Sequence, residues 1–225
     1  MFRWMLAALL QVFTLVGQTN VQGVVTETAH RRPVAGAYVT AIRSSLPPAS
    51  QTVRTDVNGA FQLVSLAPCT YTLCTQVLGG GYLNPCSWLP NPPLVTVGSS
   101  RTITGIQLKI DAGSVLQVRV NDPTGVLRKA SAPVAPSAIA MGVRTPRGFL
   151  EPFTMRSVGE GGSDHEVTIP FDTNVQVWMQ SAKLSLTQSD GNAVPAAGTT
   201  VTVNHNSAAV SAAPPIVVQI TGSKP

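Results

Sequence analysis

Short runs in which apolar and polar residues alternate dominate the chain after its first twenty positions. Between Asn20 and Ile42, "NVQGVVTETAHRRPVAGAYVTAI" places Val21, Gly23 and Val25 on one side of an extended backbone. A polar turn with His30, Arg31, Arg32 and Pro33 follows, and Ala37, Val39 and Ala41 form a second alternating series. Residues 43–51 read as a loop, Thr52 to Thr55 as a short strand and Asp56 to Gly59 as a turn, with Phe61 and Leu63 facing inward on the next strand. Leu66 to Cys69 turns again. Tyr71, Leu73, Thr75 and Val77 then share one face, with Cys74 on the other. "PLVTVGSSRTITGIQLKI" supplies two more strands around a Gly-Ser turn. This predicts about seven strands in roughly ninety residues, each with an apolar side that a second sheet must cover, so a β-sandwich is the expected closure.

The pattern restarts at Ala112. "SVLQVRVNDPTG" alternates cleanly and ends in an Asp-Pro-Thr-Gly turn, whereas "ASAPVAPSAIAMGVR" fits either strand or loop. Val167, Ile169, Val175, Val177, Leu184 and Leu186 form a further core series, and "TTVTVNHN" and "PPIVVQITG" close the chain as strands. Helical periodicity is almost absent. The expected fold is all-β with two β-sandwich domains, at 20–110 and 112–225, the second Ig-like or similar. Loose echoes between "VRVNDPTGVL" and "SLTQSDGNAVPAAG" do not establish a duplication.

Composition agrees. Apolar residues make up 44% of 225 and charged residues only 11%, which excludes a disordered polyampholyte. Nineteen Gly and eighteen Pro punctuate the runs, as in a chain of short strands and turns. The opening "MFRWMLAALLQVFTLVG" has one basic residue, an apolar stretch and a small residue at Gly17. That is the layout of a secretory leader over 1–17, shorter than a comfortable membrane span. The formal net charge is +5, but the basic residues are scattered and no Lys/Arg stripe carries interleaved aromatics, which argues against nucleic acid.

The pattern "VQGVVTETAHRRPVAGAYVTAI" followed by "TVRTDVNGAFQLVSLAPCTYTL" resembles the carboxypeptidase regulatory-like domain family. The matching motifs are Gly23 and Val25, Pro33 to Ala37, Thr55 to Phe61, and Leu66 to Tyr71. The resemblance implies a transthyretin-like seven-stranded sandwich over about 20–110 and an accessory role without catalysis. It also implies a partner that is another protein or a cell-envelope component. One departure is Cys69, which stands where the family's hairpin usually has Gly. Either the turn shifts, or a bond holds Cys69.

Candidate chemistry is sparse. Asp56, Asn58 and Gly59 could open a calcium loop, but the twelfth position from Asp56 is Ala67 rather than Glu, so a self-capping structural turn is the stronger reading. His30, His165 and His205 are solitary, and no HExxH or GxSxG motif occurs. Asp164 and His165 are adjacent, so they point to opposite faces of a strand. Neither the glycines at 79–81 nor Gly159, Gly161 and Gly162 precede the Lys-Ser or Lys-Thr of a phosphate loop. No catalytic residue, metal or cofactor is therefore expected. Cys74 and Cys86 flank "GGGYLNP" and are expected to pair, with Cys69 free, because Cys74 faces away from Tyr71 and Leu73 and can meet a covering loop. The alternative to a structural or protein-binding module is carbohydrate binding through the aromatics Tyr82, Trp88 and Trp178.

Overall fold

The computed structural model describes residues 19–79, 81–99, 102–126, 139–148, 150–159, 161–201 and 215–224. The leader expected at 1–17 and His205 lie outside them. Seven strands form a first sandwich: β1 (Thr19–Glu27), β2 (Tyr38–Arg43), β3 (Ala49–Arg54), β4 (Ala60–Leu66), β5 (Cys69–Gln76), β6 (Leu94–Val97) and β7 (Ile103–Ile110). One sheet has the order β4-β1-β7, with β1 antiparallel to β4 and parallel to β7. The other has the order β3-β2-β5-β6 and is antiparallel throughout. The alternating positions meet between the sheets. Val21, Val25, Val39, Ala41, Phe61, Leu63, Tyr71, Leu73, Leu108 and Ile110 are all buried in one cluster.

One expectation changes, and the structure adds two features. The strand read as Thr52 to Thr55 begins at Ala49, inside the supposed loop, because β2 pairs along its whole length from Tyr38↔Arg54 to Arg43↔Ala49. Backbone pairing with a neighbour carries a polar segment that no apolar pattern marks. The two strands expected around the Gly-Ser turn are present and join different sheets. β6 stays beside β5, and β7 crosses to the other sheet beside β1. A short helix, α1 (Pro85–Trp88), is also present. At four residues it is too short to carry a helical period. It starts where Asn84 Oδ1 accepts the Cys86 N–H at 3.0 Å and where proline sits at the first helical position.

The second sandwich contains β8 (Ser114–Asn121), β9 (Ala140–Arg144), β10 (Leu150–Pro152), β11 (Thr154–Gly159), β12 (Gly162–Ile169), β13 (Val175–Gln180), β14 (Leu184–Gln188), β15 (Thr199–Val201) and β16 (Ile216–Ser223). Its sheets run β10-β9-β13-β15 and β11-β12-β8-β16-β14. The pairing repeats that of the first sandwich. β8 lies between antiparallel β12 and parallel β16, as β1 lies between β4 and β7. The order β10-β9-β13-β15 reproduces β3-β2-β5-β6. The second unit thus follows the first in topology and adds β11 and β14 at the edges of one sheet. Its core holds Leu116, Val118, Val120, Val143, Val167, Ile169, Val175, Val177, Leu184, Val218 and Ile220. It also holds Trp88, from a segment that precedes β6 of the first sandwich.

Candidate functional site

At the corner between β3 and β4, Asp56 Oδ1 accepts the N–H groups of Asn58 and Ala60, each at 2.8 Å. The Gly59 N–H donates to the Asp56 carbonyl at 3.0 Å. Asp56 thus spends its Oδ1 and its carbonyl on the turn's own backbone. Gly59 has φ +72°, and a Cβ there would lie 2.6 Å from the Val25 carbonyl oxygen. Only glycine lets the corner sit this close to β1. The neighbouring Thr55 is buried, donates to the Val34 carbonyl and accepts the Ala37 N–H, both at 2.8 Å. Among the described residues, no group of three His, Cys, Asp or Glu could hold a metal ion.

Cys74 lies opposite Thr40 on the outer face of β3-β2-β5-β6, since its neighbours Leu73 and Thr75 point into the core. It is disulfide-bonded to Cys86 of α1, with the Cα atoms 5.3 Å apart. Cys69 opens β5 as a free thiol, with its Sγ 3.2 Å from Ser45 Oγ. The left-handed residue near this hairpin is Ser65, at φ 57°, so the turn has shifted and Cys69 needs no special backbone.

The segment around α1 joins the two sandwiches. Tyr82 packs on the first core and bridges Ala112. The Leu83 N–H donates to the Asp111 carbonyl at 2.9 Å, and the Gly113 N–H to that of Gly81 at 2.7 Å. Leu83 packs on the second core, and Trp88 is only 7% exposed within it. The Arg147 guanidinium, from the second sandwich, donates to the Cys86 carbonyl. The three aromatics therefore do not converge. Tyr82 and Trp88 serve different cores. Trp178, half-buried on the face of β13 opposite Val177 and Met179, lines a separate 380 Å³ cleft with Leu186 and Val194.

The Asp164–His165–Glu166 cluster is divided between the two faces of β12. Asp164 faces outward and accepts from Arg119 at 2.8 Å and Ser157 at 2.7 Å. These bonds hold its carboxyl below the usual carboxylate range. Glu166, on the same side, pairs with Arg156 at 3.2 Å. His165 shares the inward side with buried Ser163, whose Oγ is 2.8 Å from His165 Nε2. Burial pushes the imidazole below its ordinary value, and the Asp164 charge opposes this. The serine and histidine meet, but the carboxylate is turned away from them, so no acid–base–nucleophile relay is assembled. His30 pairs with Glu27 at 3.2 Å.

One feature escaped the sequence. The outer face of β4-β1-β7 is a shallow groove of 1230 Å³ whose lining includes Gln22, Thr26, Gln62 and Gln107 together with Arg31 and Lys109. These are the polar positions of the alternation, which carry no signal beyond facing away from the core.

A seven-stranded sandwich with the motifs above, turning on Thr55–Gly59, invites comparison with known families. Residues 20–82 match the carboxypeptidase regulatory-like domain family. The matched span ends at Tyr82, and β6 and β7 follow it to complete the two sheets. No curated protein matches the chain. Solved structures resemble it at low identity. A streptococcal ancillary pilin is 14% identical over 94% of this chain and 64% of its own, with a TM-score of 0.40. The major pilin subunit of Bacillus cereus is 10% identical over 92% and 85%, with a TM-score of 0.36. The group B streptococcus pilus 2b backbone protein is 12% identical over 43% of this chain, with a TM-score of 0.32. The chain spans 42% of the length of that backbone protein.

Proposed function

We propose that the protein is an exported, non-catalytic module with a structural or protein-binding role, in which a leader at 1–17 precedes domains at 20–110 and 112–225. The observation that carries this reading is where the chemically capable side chains go. Asp56 caps a turn, Asp164 and Glu166 are paired with arginines on an outer face, and Trp88 is buried in a core. A disulfide is at home in an oxidising compartment, which supports export. No helix among the described residues is long and apolar enough to cross a membrane. The partner class is another protein or an envelope component. Cross-linking of the mature protein in its native envelope or culture fluid, followed by mass spectrometry, is expected to recover a reproducible protein neighbour. Recovery of none, together with retention on an immobilised glycan, would replace this reading with carbohydrate binding. N-terminal sequencing of the exported form is expected to start after Gly17, and an intact Met1 would remove the leader.

A further inference from the structure

We infer that the Cys74–Cys86 bond is a redox lock between the two sandwiches, seating α1 and with it Trp88 in the second core. The bond crosses only twelve positions in sequence, and its two ends serve different bodies. Cys74 is in the middle of β5, fixed by pairing with β2. Cys86 lies two residues before Trp88, which is buried with Leu116, Val143 and Val175 of the second sandwich. A helix of four residues has no stability of its own, because nucleation costs more than its few hydrogen bonds return. Its position must come from tethers.

On the first-sandwich side those tethers are few. The Leu83–Asp111 and Gly81–Gly113 bonds hold the segment before α1, and the Leu73 N–H to Pro93 carbonyl bond, at 2.8 Å, holds the segment after it. Between them, the disulfide is the attachment of α1 to β5. The approach to α1 also runs through Gly79 and Gly81, both at positive φ, where the backbone has the most freedom to lose. Breaking the bond leaves residues 84–92 pinned to the first sandwich only at their ends, and Trp88 must then hold its seat by packing and by the Arg147 bond to the Cys86 carbonyl. The covalent crossing at Asp111–Gly113 remains, so each sandwich stays folded while their mutual orientation loosens.

The chemistry balances as thiol–disulfide exchange. A dithiol delivers two electrons and two protons, the Sγ–Sγ bond breaks to two thiols, and the dithiol closes to its own disulfide. Oxidation by a disulfide donor after export is the reverse. The inference does not depend on which partner the module binds.

The test uses the full chain in a Cys69→Ser background, so that Cys69 cannot enter the exchange. Hydrogen exchange and small-angle scattering are compared for the oxidised protein, the dithiothreitol-reduced protein, the Cys74→Ser/Cys86→Ser variant and a Trp88→Ala variant with the bond intact. Reduction is expected to raise exchange at 81–89 by roughly tenfold or more and to broaden the scattering distance distribution, with β1 and β7 still protected. Trp88→Ala should broaden the scattering in the same way while the bond persists. Unchanged exchange at 81–89 with unchanged scattering after reduction overturns the lock. So does loss of protection in β1 and β7, which would make the bond a support of the first sandwich alone. If the double variant does not fold, reduction of the folded protein decides.

Discussion

Replacing Gly59 with Ala tests the corner between β3 and β4 most directly. Two costs add there. The residue sits at φ +72°, where an L side chain loses about 1–2 kcal/mol to β-carbon sterics. The new carbon would also stand 2.6 Å from the Val25 carbonyl oxygen and 3.0 Å from the Val34 nitrogen. Both are backbone atoms already bonded across the corner, since Val34 N–H donates to the Val25 carbonyl and Val25 N–H to that of Gly59. They cannot swing aside as a side chain would, so β1 has to move, at an overpacking cost of about 1–3 kcal/mol. The sum is about 2–5 kcal/mol. Gly105, in β7 of the same sandwich, supplies the control. Its φ is +77°, but an added carbon meets nothing within 4 Å, so Gly105→Ala carries only the first cost. Denaturant-dependent hydrogen exchange at Val25 and Leu108, both buried in the first core, reads the stability of that sandwich without the second. Gly59→Ala is expected to lose about 1–3 kcal/mol more than Gly105→Ala. Equal losses, or a larger one at Gly105, would show that crowding against β1 does not shape the corner.

Four further outcomes are expected. Asp56→Ala removes the acceptor of two backbone N–H groups and should cost about 1 kcal/mol in the same assay, unaltered by calcium; a calcium-dependent stabilisation abolished by the substitution would restore a metal site. His165, depressed below its ordinary 6.5 by burial, favours the folded state when neutral, so its contribution is complete above pH 6.5 and is lost as pH falls through the lower folded value. His165→Gln should flatten the stability profile over that window, and an unchanged slope refutes the assignment. Asp164, held below 3.8 by Arg119 and Ser157, acts in a separate window: its contribution is complete above pH 3.8 and is lost as pH falls through the lower folded value, so Asp164→Asn should lower the neutral plateau and flatten the acid limb. Thiol titration of the native chain should find one reactive group, Cys69, and three after reduction and unfolding; two or more before reduction would contradict the pairing.

Much of the architecture was legible before any coordinates. Alternation named Val21, Val25, Phe61, Leu63, Leu73 and the Val167–Leu184 series as inward positions, and these are buried. Local chemistry gave the Asp56 turn, because a carboxylate capping its own backbone and a glycine at positive φ need only neighbours within four residues. A period of two tells which side of a strand is apolar, but not which sheet the strand joins. Only the assembled sheets placed β7 beside β1 instead of beside β6, and only they revealed that the second sandwich repeats the pairing of the first. Trp88 shows the limit most clearly. A single indole in "NPCSWLPNPP" belongs to no periodic series, so nothing local states which core will take it. Packing against Leu116, Val143 and Val175 decided that, through contacts between residues far apart in the chain, where burial of a large apolar ring outweighs any local preference of the segment that carries it.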